Sequence, residues 1–399
     1  MIAATGVGAG DLIAAAVSGS RYGYAVIWAA AVGTVLKFAL NEGLARWQLA
    51  TGTTLLEGWV KHLGRWVQYV FLVYLVIWSF VVGGALIAAC GIAAHALVPA
   101  VGYETWGIVH SLIAAMLVLL GGYKSFERLV SLFIGLMFVT LIGCAALIAP
   151  PQTTLASLVS QAAVPAGSTR YILGVIGGVG GSVTLLAYGY WIREKGWEGS
   201  QRLKTVRLDL GVAYALTGVF GVAIMVLAAE TLFNTGVVVE GSEGVVKMAA
   251  MMEQSLGAAG RWTFMVGFWG AVATSMLGVW QGVPYLFADF VGLMREASAE
   301  EHRRMVSTRS RWYRGFLIWL ALPPLVLLIT KKPFELVVVY AVLGALFMPF
   351  LAATLLYLNH GRERTGELRN RWWSVALLLI CLGLFAYLAV LKILAVVGN

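Results

Sequence analysis

Stretches of about 18 to 25 consecutive apolar residues recur along the chain, and each is long enough to cross a hydrocarbon core of roughly 30 Å as a helix. In lipid only helices and closed barrels satisfy their own backbone groups, so repeated runs of this length select a polytopic helical bundle. A soluble globular or disordered protein is excluded. Composition agrees, since 60% of the 399 residues are hydrophobic and 12% are charged, roughly half the charged share of a soluble domain. Mean hydropathy is +0.85. Eleven spans are expected, at 2–18, 22–45, 66–95, 105–121, 127–149, 171–191, 208–231, 262–292, 315–330, 334–358 and 373–397.

A formal charge of +9 would suggest a nucleic-acid partner in a soluble chain, but here the basic residues sit in short loops between apolar runs. Alternating sides along the chain puts 20 of the 28 Lys and Arg residues on the side of the N-terminus and 6 on the other, with Lys37 and Lys392 inside spans. That bias predicts a multi-pass protein of the cell membrane with its N-terminus in the cytoplasm and its C-terminus outside. Its partners are then the bilayer and a small solute, with no nucleic acid, and a monomer is expected. Cys90, Cys144 and Cys381 lie in separate apolar runs without metal-ligand spacing and read as small core residues. Residues 1–11 have no basic n-region or cleavage motif, so no removable signal peptide is expected. Gly244–Leu256, in one of the longest loops outside, is expected to form a short surface helix.

Glycine clusters inside two spans carry the functional information. Span one contains Thr5-Gly6-Val7-Gly8-Ala9-Gly10-Asp11, and span six contains Gly174, Gly177, Gly178, Gly180, Gly181 and Ser182. Interrupted helices at membrane depth are tolerated only where they line a protein-enclosed or watery cavity. A pair of them five spans apart is the sequence pointer to an inverted-repeat transporter with its substrate near the midplane. Small-residue helix packing is the competing reading of the glycines.

Asp11 is the acid at the first interruption, and a charge at that depth needs a cation, a lysine or a proton. Lys37 offers a static partner for it, although Lys37 also lies within reach of Asn41 and Glu42 on its own helix. Tyr188, Tyr190, Asp209, Gln281 and Asp289 are placed to line an exit, with ordinary helix-end hydrogen bonding the expected role. His95 and His110 read as packing histidines, and Met348-Pro349 as a kink. There is no P-loop, HExxH, nucleophile motif or clustered His/Cys site, so neither an enzyme nor a bound cofactor is expected, and a non-transporting sensor is less favoured than a transporter.

Gly19-Ser20-Arg21-Tyr22-Gly23-Tyr24, Asn41-Glu42-Gly43-Leu44-Ala45-Arg46-Trp47-Gln48-Leu49-Ala50-Thr51-Gly52 and Ala273-Thr274-Ser275-Met276-Leu277-Gly278 are similar to the first, second and eighth spans of Nramp proteins. The whole chain resembles the Nramp (natural resistance-associated macrophage protein) family of divalent metal transporters. The resemblance implies an all-α integral membrane protein with the LeuT-type fold. It also implies two inverted five-helix repeats at 1–150 and 171–358, an additional helix at 372–399, and broken helices one and six.

The chain departs from the family at the site. Where Nramp metal transporters carry Asp-Pro-Gly-Asn, this sequence has Gly8-Ala9-Gly10-Asp11, and where they carry Met-Pro-His it has Gly181-Ser182-Val183. The soft sulfur ligand is gone, which disfavours Mn²⁺ and Fe²⁺. Span three, over 67–95, has no acidic residue, so the family's proton route is not expected. Seven residues precede Gly8, fewer than the family places there, and a short first half-helix follows.

The expected substrate site is therefore Gly8, Ala9, Gly10, Asp11, Gly180, Gly181, Ser182 and Thr184, with Asp11 as the metal ligand. Thr5, Lys37, Thr274, Ser275 and Tyr188 form a shell around it. Hydroxyl, carboxylate and carbonyl oxygens are hard ligands, which suit a Mg²⁺-like ion that keeps several waters. The same enlarged space also fits a small organic solute with an amine.

Overall fold

The computed structural model describes residues 9–121, 123–150, 160–178, 182–233, 235, 241–330 and 333–397. Among these, every regular element is helical. The first, α1 (Ala9–Tyr22), passes through a 3-10 turn at Gly23–Val26 into α2 (Trp28–Thr51), with a bend of 107° between the two arms. Then come α3 (Leu55–Leu63), α4 (Trp66–Leu97), α5 (Tyr103–Leu120) and α6 (Tyr123–Ile148). The second half holds α7 (Thr169–Gly178), α8 (Ala187–Glu194), α9 (Leu203–Leu232), α10 (Gly241–Met294), α11 (Ala299–Met305) and α12 (Arg311–Ala321). It closes with α13 (Pro333–Leu358), α14 (Arg362–Thr365) and α15 (Trp372–Val397).

Seven of the described helices are long and apolar enough to cross a membrane, or nine when each of two bent pairs counts as one span. The difference from the eleven expected spans has local causes. Span six is divided into α7 of 10 residues and α8 of 8, about 15 and 12 Å long at the helical rise, so neither half crosses alone. In span nine, Pro323 and Pro324 remove backbone donors and end α12 at Ala321, and the chain continues as a 3-10 helix to Thr330. The surface helix expected at 244–256 and the span expected at 262–292 belong to one long element, α10, broken where Gly257 adopts φ 70°. Span one begins at Ala9 among the described residues and runs four residues beyond the expected Ser18, to Tyr22.

Apolar side chains cover the outside of the bundle where lipid would lie. Val70, Val73 and Ile77 of α4 and Leu132, Val139 and Leu147 of α6 are more than half exposed, a surface a water-soluble protein would not tolerate. Inside, α9 packs on α1, α2 and α6, and α10 packs on α4, α6 and α12. The α4–α5 crossing is close because glycines face backbone: a Cβ on Gly91 would lie 2.1 Å from the Tyr103 carbonyl oxygen, and one on Gly107 would lie 2.8 Å from that of Ile87.

Five polar connections meet at one end of the bundle, hereafter the basic end. Arg65 pairs with Glu296 at 2.6 Å, Arg193 with Glu57 at 3.0 Å and Lys195 with Glu127 at 2.6 Å. Arg46 reaches the Leu368 carbonyl at 3.0 Å and the Asn370 amide oxygen at 2.8 Å. Glu42 of α2, fully buried, is shared by Arg46 and Arg207 at 2.7 Å each.

Candidate functional site: a break between two half-helices

α1 and α7 lie against each other and run in opposite directions. Tyr22, at the end of α1, meets Tyr171, near the start of α7, with ring centroids 5.4 Å apart, and the Arg21 guanidinium sits 5.0 Å from the same Tyr171 ring. The start of α1 and the end of α7 therefore come to similar depth, some 15 to 20 Å from that aromatic contact. The end of α7 carries the negative pole of that helix's dipole there, and the backbone of Asp11 lies in the first turn of α1. The α10 helix packs on both α1 and the 3-10 turn Val183–Leu186, which places span eight beside the break.

Ser182 is the described residue at the break itself. Its backbone is non-helical (φ −131°, ψ −99°), it is 8% exposed, and its hydroxyl has no hydrogen-bond partner among the described residues. A buried hydroxyl left without a partner costs about 1–3 kcal/mol. Gly344 of α13 faces it, with space that a Cβ would close to 2.9 Å from the Ser182 oxygen. The glycines of span six divide in role. Gly177 meets Leu388 of α15, where a Cβ would come within 2.6 Å, so it serves packing, whereas a Cβ on Gly174 would meet nothing within 4 Å.

Of the other expected site residues, Thr184 is half-buried in the turn that restarts span six. Thr274 is buried and gives its hydroxyl back to the Ala271 carbonyl, and Ser275 is buried beside it. Thr5, Gly8, Gly180 and Gly181 lie outside the described residues, and Ala9, Gly10 and Asp11 are placed by backbone alone. Lys37 is fully buried, with its ammonium 5.5 Å from the Phe385 ring centroid. Of the two local partners expected for Lys37, Glu42 is shared by two arginines and Asn41 donates its amide to the Tyr214 hydroxyl. His95 bonds the Val101 carbonyl, and His110 bonds both the Trp106 carbonyl and the Trp269 indole.

Between the break and the basic end, buried tyrosines donate to carboxylates. Tyr188 of α8, expected in the shell around the break, donates to Asp209 of α9 at 2.9 Å. Tyr190 of α8 reaches Asp289 of α10 at 2.5 Å, and Tyr285 of α10 reaches Glu194 of α8 at 2.6 Å. Tyr190 stacks on Tyr285 and Tyr285 meets Tyr313 edge-on, while the Trp191 indole donates to Gln281 at 2.6 Å. All these rings are buried. At the opposite end, by contrast, a cavity of about 300 Å³ opens between Tyr22, Tyr24, Gln161, Glu230 and Phe233, and Tyr24 donates to Glu230.

Asp289 is the centre of the basic-end network, and its fully buried carboxylate accepts three bonds. Thr54, which caps α3, donates at 2.7 Å, Tyr190 donates to the same oxygen, and His302 of α11 meets the other oxygen at 2.7 Å. Hydrogen bonding to Asp289, helped by the charge of Glu57, raises the His302 pKa above its ordinary value of 6.5 against the opposing effects of burial and Arg193. Among the described residues, Glu57, Asp289 and His302 are the His and carboxylate group with ligand atoms close enough to share a metal ion, within 4.8 Å of one another. These groups already have protein partners, since Arg193 pairs with Glu57 and both Asp289 oxygens are hydrogen-bonded. The sequence reading named Tyr190 and Asp289 but missed Thr54, Glu57, Glu194, Tyr285 and His302. The Thr54-x-x-Glu57 capping box and the Ser298 cap of α11 mark helix starts, not what those helices approach.

The sequence model of the Nramp family, described as natural resistance-associated macrophage protein-like, matches residues 1–395. No curated protein matches the sequence. Among solved structures, a mutant of the manganese transporter of Eremococcus coleocola superposes with a TM-score of 0.76 at 15% identity, covering 100% of this chain and 86% of that one. The same transporter in complex with an aromatic bis-isothiourea substituted compound gives 0.71 at 15% identity over 99% and 85%. MhsT in complex with L-phenylalanine gives 0.55 at 13% identity over 96% and 97%. The shared architecture is the LeuT-type fold.

Proposed function

Because the chain belongs to the Nramp family, a family of multi-pass membrane transporters for which a metal ion is cargo and no cofactor is needed, we propose that it carries a hard divalent cation of the Mg²⁺ kind by alternating access around the break in span six. The observation that carries this reading is the buried Ser182 hydroxyl, without a hydrogen-bond partner among the described residues, at the turn that restarts span six, near the level at which α1 begins. Hydroxyl, carboxylate and exposed carbonyl are oxygen donors, the set suited to Mg²⁺ rather than to a thiophilic metal. The positions that match the family's Met-Pro-His are Gly181, Ser182 and Val183, which supply no sulfur.

Orientation and repeat boundaries belong to the same proposal. The meeting of the arginine-rich connections at one end supports placing that end, with the N-terminus, in the cytoplasm and the C-terminus outside. Residues 1–150 and 171–358 would then form the two inverted repeats and 372–399 the additional helix. A site enclosed within a single bundle is consistent with a functional monomer.

The test is flux into proteoliposomes of Mg²⁺, Mn²⁺, Ca²⁺ and protons. Saturable Mg²⁺ uptake is expected, falling about tenfold or more in Asp11→Asn, because loss of a full charge next to a partly dehydrated dication costs more than 1.4 kcal/mol. Ser182→Ala should raise the half-saturating concentration with a smaller loss of maximal rate. Robust Mn²⁺ uptake that depends on Asp11 would overturn the hard-cation assignment. No flux of any ion, with uptake of a small organic ammonium instead, would overturn the metal cargo.

A further inference from the structure

The basic end carries a device that the transport site does not use. The α11 helix, with only seven residues, lies in the connection between spans eight and nine, and its inward side chain, His302, bonds Asp289. Gly292 makes the approach possible: a Cβ there would lie 2.5 Å from His302 Cδ2, so the imidazole rests directly on the α10 backbone. Through the same carboxylate, α11 is joined to Thr54 of α3 and Tyr190 of α8. The α8 helix is the half of span six that lies at this end.

The geometry points to a proton-dependent latch, in which protonated His302 clamps Asp289 and thereby holds α8 in the closed position, so that acid on the basic side slows opening there. The charged and titratable groups facing His302 come from three helices. These are Asp289 from α10, Glu57 from α3, and Arg193 with Tyr190 from α8. Two carboxylates against one guanidinium leave the neighbourhood in favour of an imidazolium. On α11 itself, Glu300 is engaged with Arg304 on the exposed side, 2.5 Å away, and does not compete.

The direction follows from linkage. A histidine whose pKa rises on docking contributes stability that is fully present below its ordinary value of 6.5 and is lost as pH climbs through the raised value. The latch is therefore tight in acid and loosens as pH climbs through that raised value.

Hydrogen exchange on the full-length protein in nanodiscs tests this without any assumption about cargo. It would be followed by mass spectrometry at about pH 5.5 and about pH 8.5, with intrinsic exchange rates corrected. Segments 298–306 and 187–194 are expected to exchange roughly threefold or more slowly at the acid pH, and to do so together. In His302→Gln, which keeps a hydrogen-bonding side chain, and in Gly292→Ala, which pushes the ring away, that pH dependence should vanish while thermal unfolding stays cooperative. Equal protection of 298–306 at both pH values in the native chain would overturn the latch. So would a pH dependence that survives in His302→Gln, or a response of 298–306 that 187–194 does not follow. Failure of cation flux would leave all these readings unchanged, so the latch and the cargo assignment fail separately.

Discussion

Glu42→Gln is expected to yield little folded protein. Glu42 is fully buried in α2, and its carboxylate is the shared counter-ion of Arg46, itself almost fully buried, and Arg207 of α9. Removing one partner of a buried ion pair leaves a charge without compensation, at a cost of about 3–5 kcal/mol. Arg46 keeps its bonds to the Leu368 carbonyl and to Asn370, but both partners are neutral. The contrasting variant is Arg207→Gln. Its side chain is 35% exposed, and Glu42 keeps Arg46, so the loss should be about 1 kcal/mol. Thermal unfolding in detergent, with yield of monodisperse protein, separates the two. Similar midpoints for both variants would refute the argument.

Gly91→Val is expected to disrupt the α4–α5 crossing. With a Cβ position 2.1 Å from the Tyr103 carbonyl oxygen and 3.0 Å from the Gly107 nitrogen, even alanine forces two backbones apart. Overpacking of a tight core costs about 1–3 kcal/mol, and more when the obstacle is backbone that cannot rotate away. Alanine should therefore lower the unfolding midpoint and valine should lower it further. Gly135 is the matched control, an exposed glycine on α6 with nothing within 4 Å of a Cβ. Gly135→Ala should be neutral or stabilising by up to about 1 kcal/mol through helix propensity. Equal behaviour of the two alanine variants would show that the crossing is not sterically limited.

Sequence made the bundle legible because each apolar run reports its own length, and it located the break in span six because the glycines from Gly174 to Gly181 leave that stretch without side chains that favour a helix. Resemblance to the family then supplied connectivity that no single span contains. The interruption of span nine was also written in the chain, as Pro323-Pro324, but an apolar run hides it when hydropathy alone sets the boundaries. The hub around Asp289 was not legible. Thr54 and Tyr190 lie 235 and 99 residues from the Asp289 they bond, His302 lies 13 residues from it on a separate helix, and each is an ordinary residue in its local context. Only the packing of α3, α8, α10 and α11 makes them one network. Glu42 was no more legible, since the two arginines that share its carboxylate come from the next turn of α2 and from α9.

The three tyrosine-to-carboxylate bonds have a kinetic consequence. Tyr188–Asp209, Tyr190–Asp289 and Tyr285–Glu194 all tie α8 to its neighbours at one end. At about 1 kcal/mol net for each, breaking them together disfavours the conformer open at that end by about 3 kcal/mol, a resting population below roughly one in a hundred. A molecule biased in this way spends its idle time waiting at the opposite mouth, beside the cavity at Glu230. The rare excursion, rather than the capture of cargo, would then set the pace of the cycle and keep an empty carrier from becoming a leak.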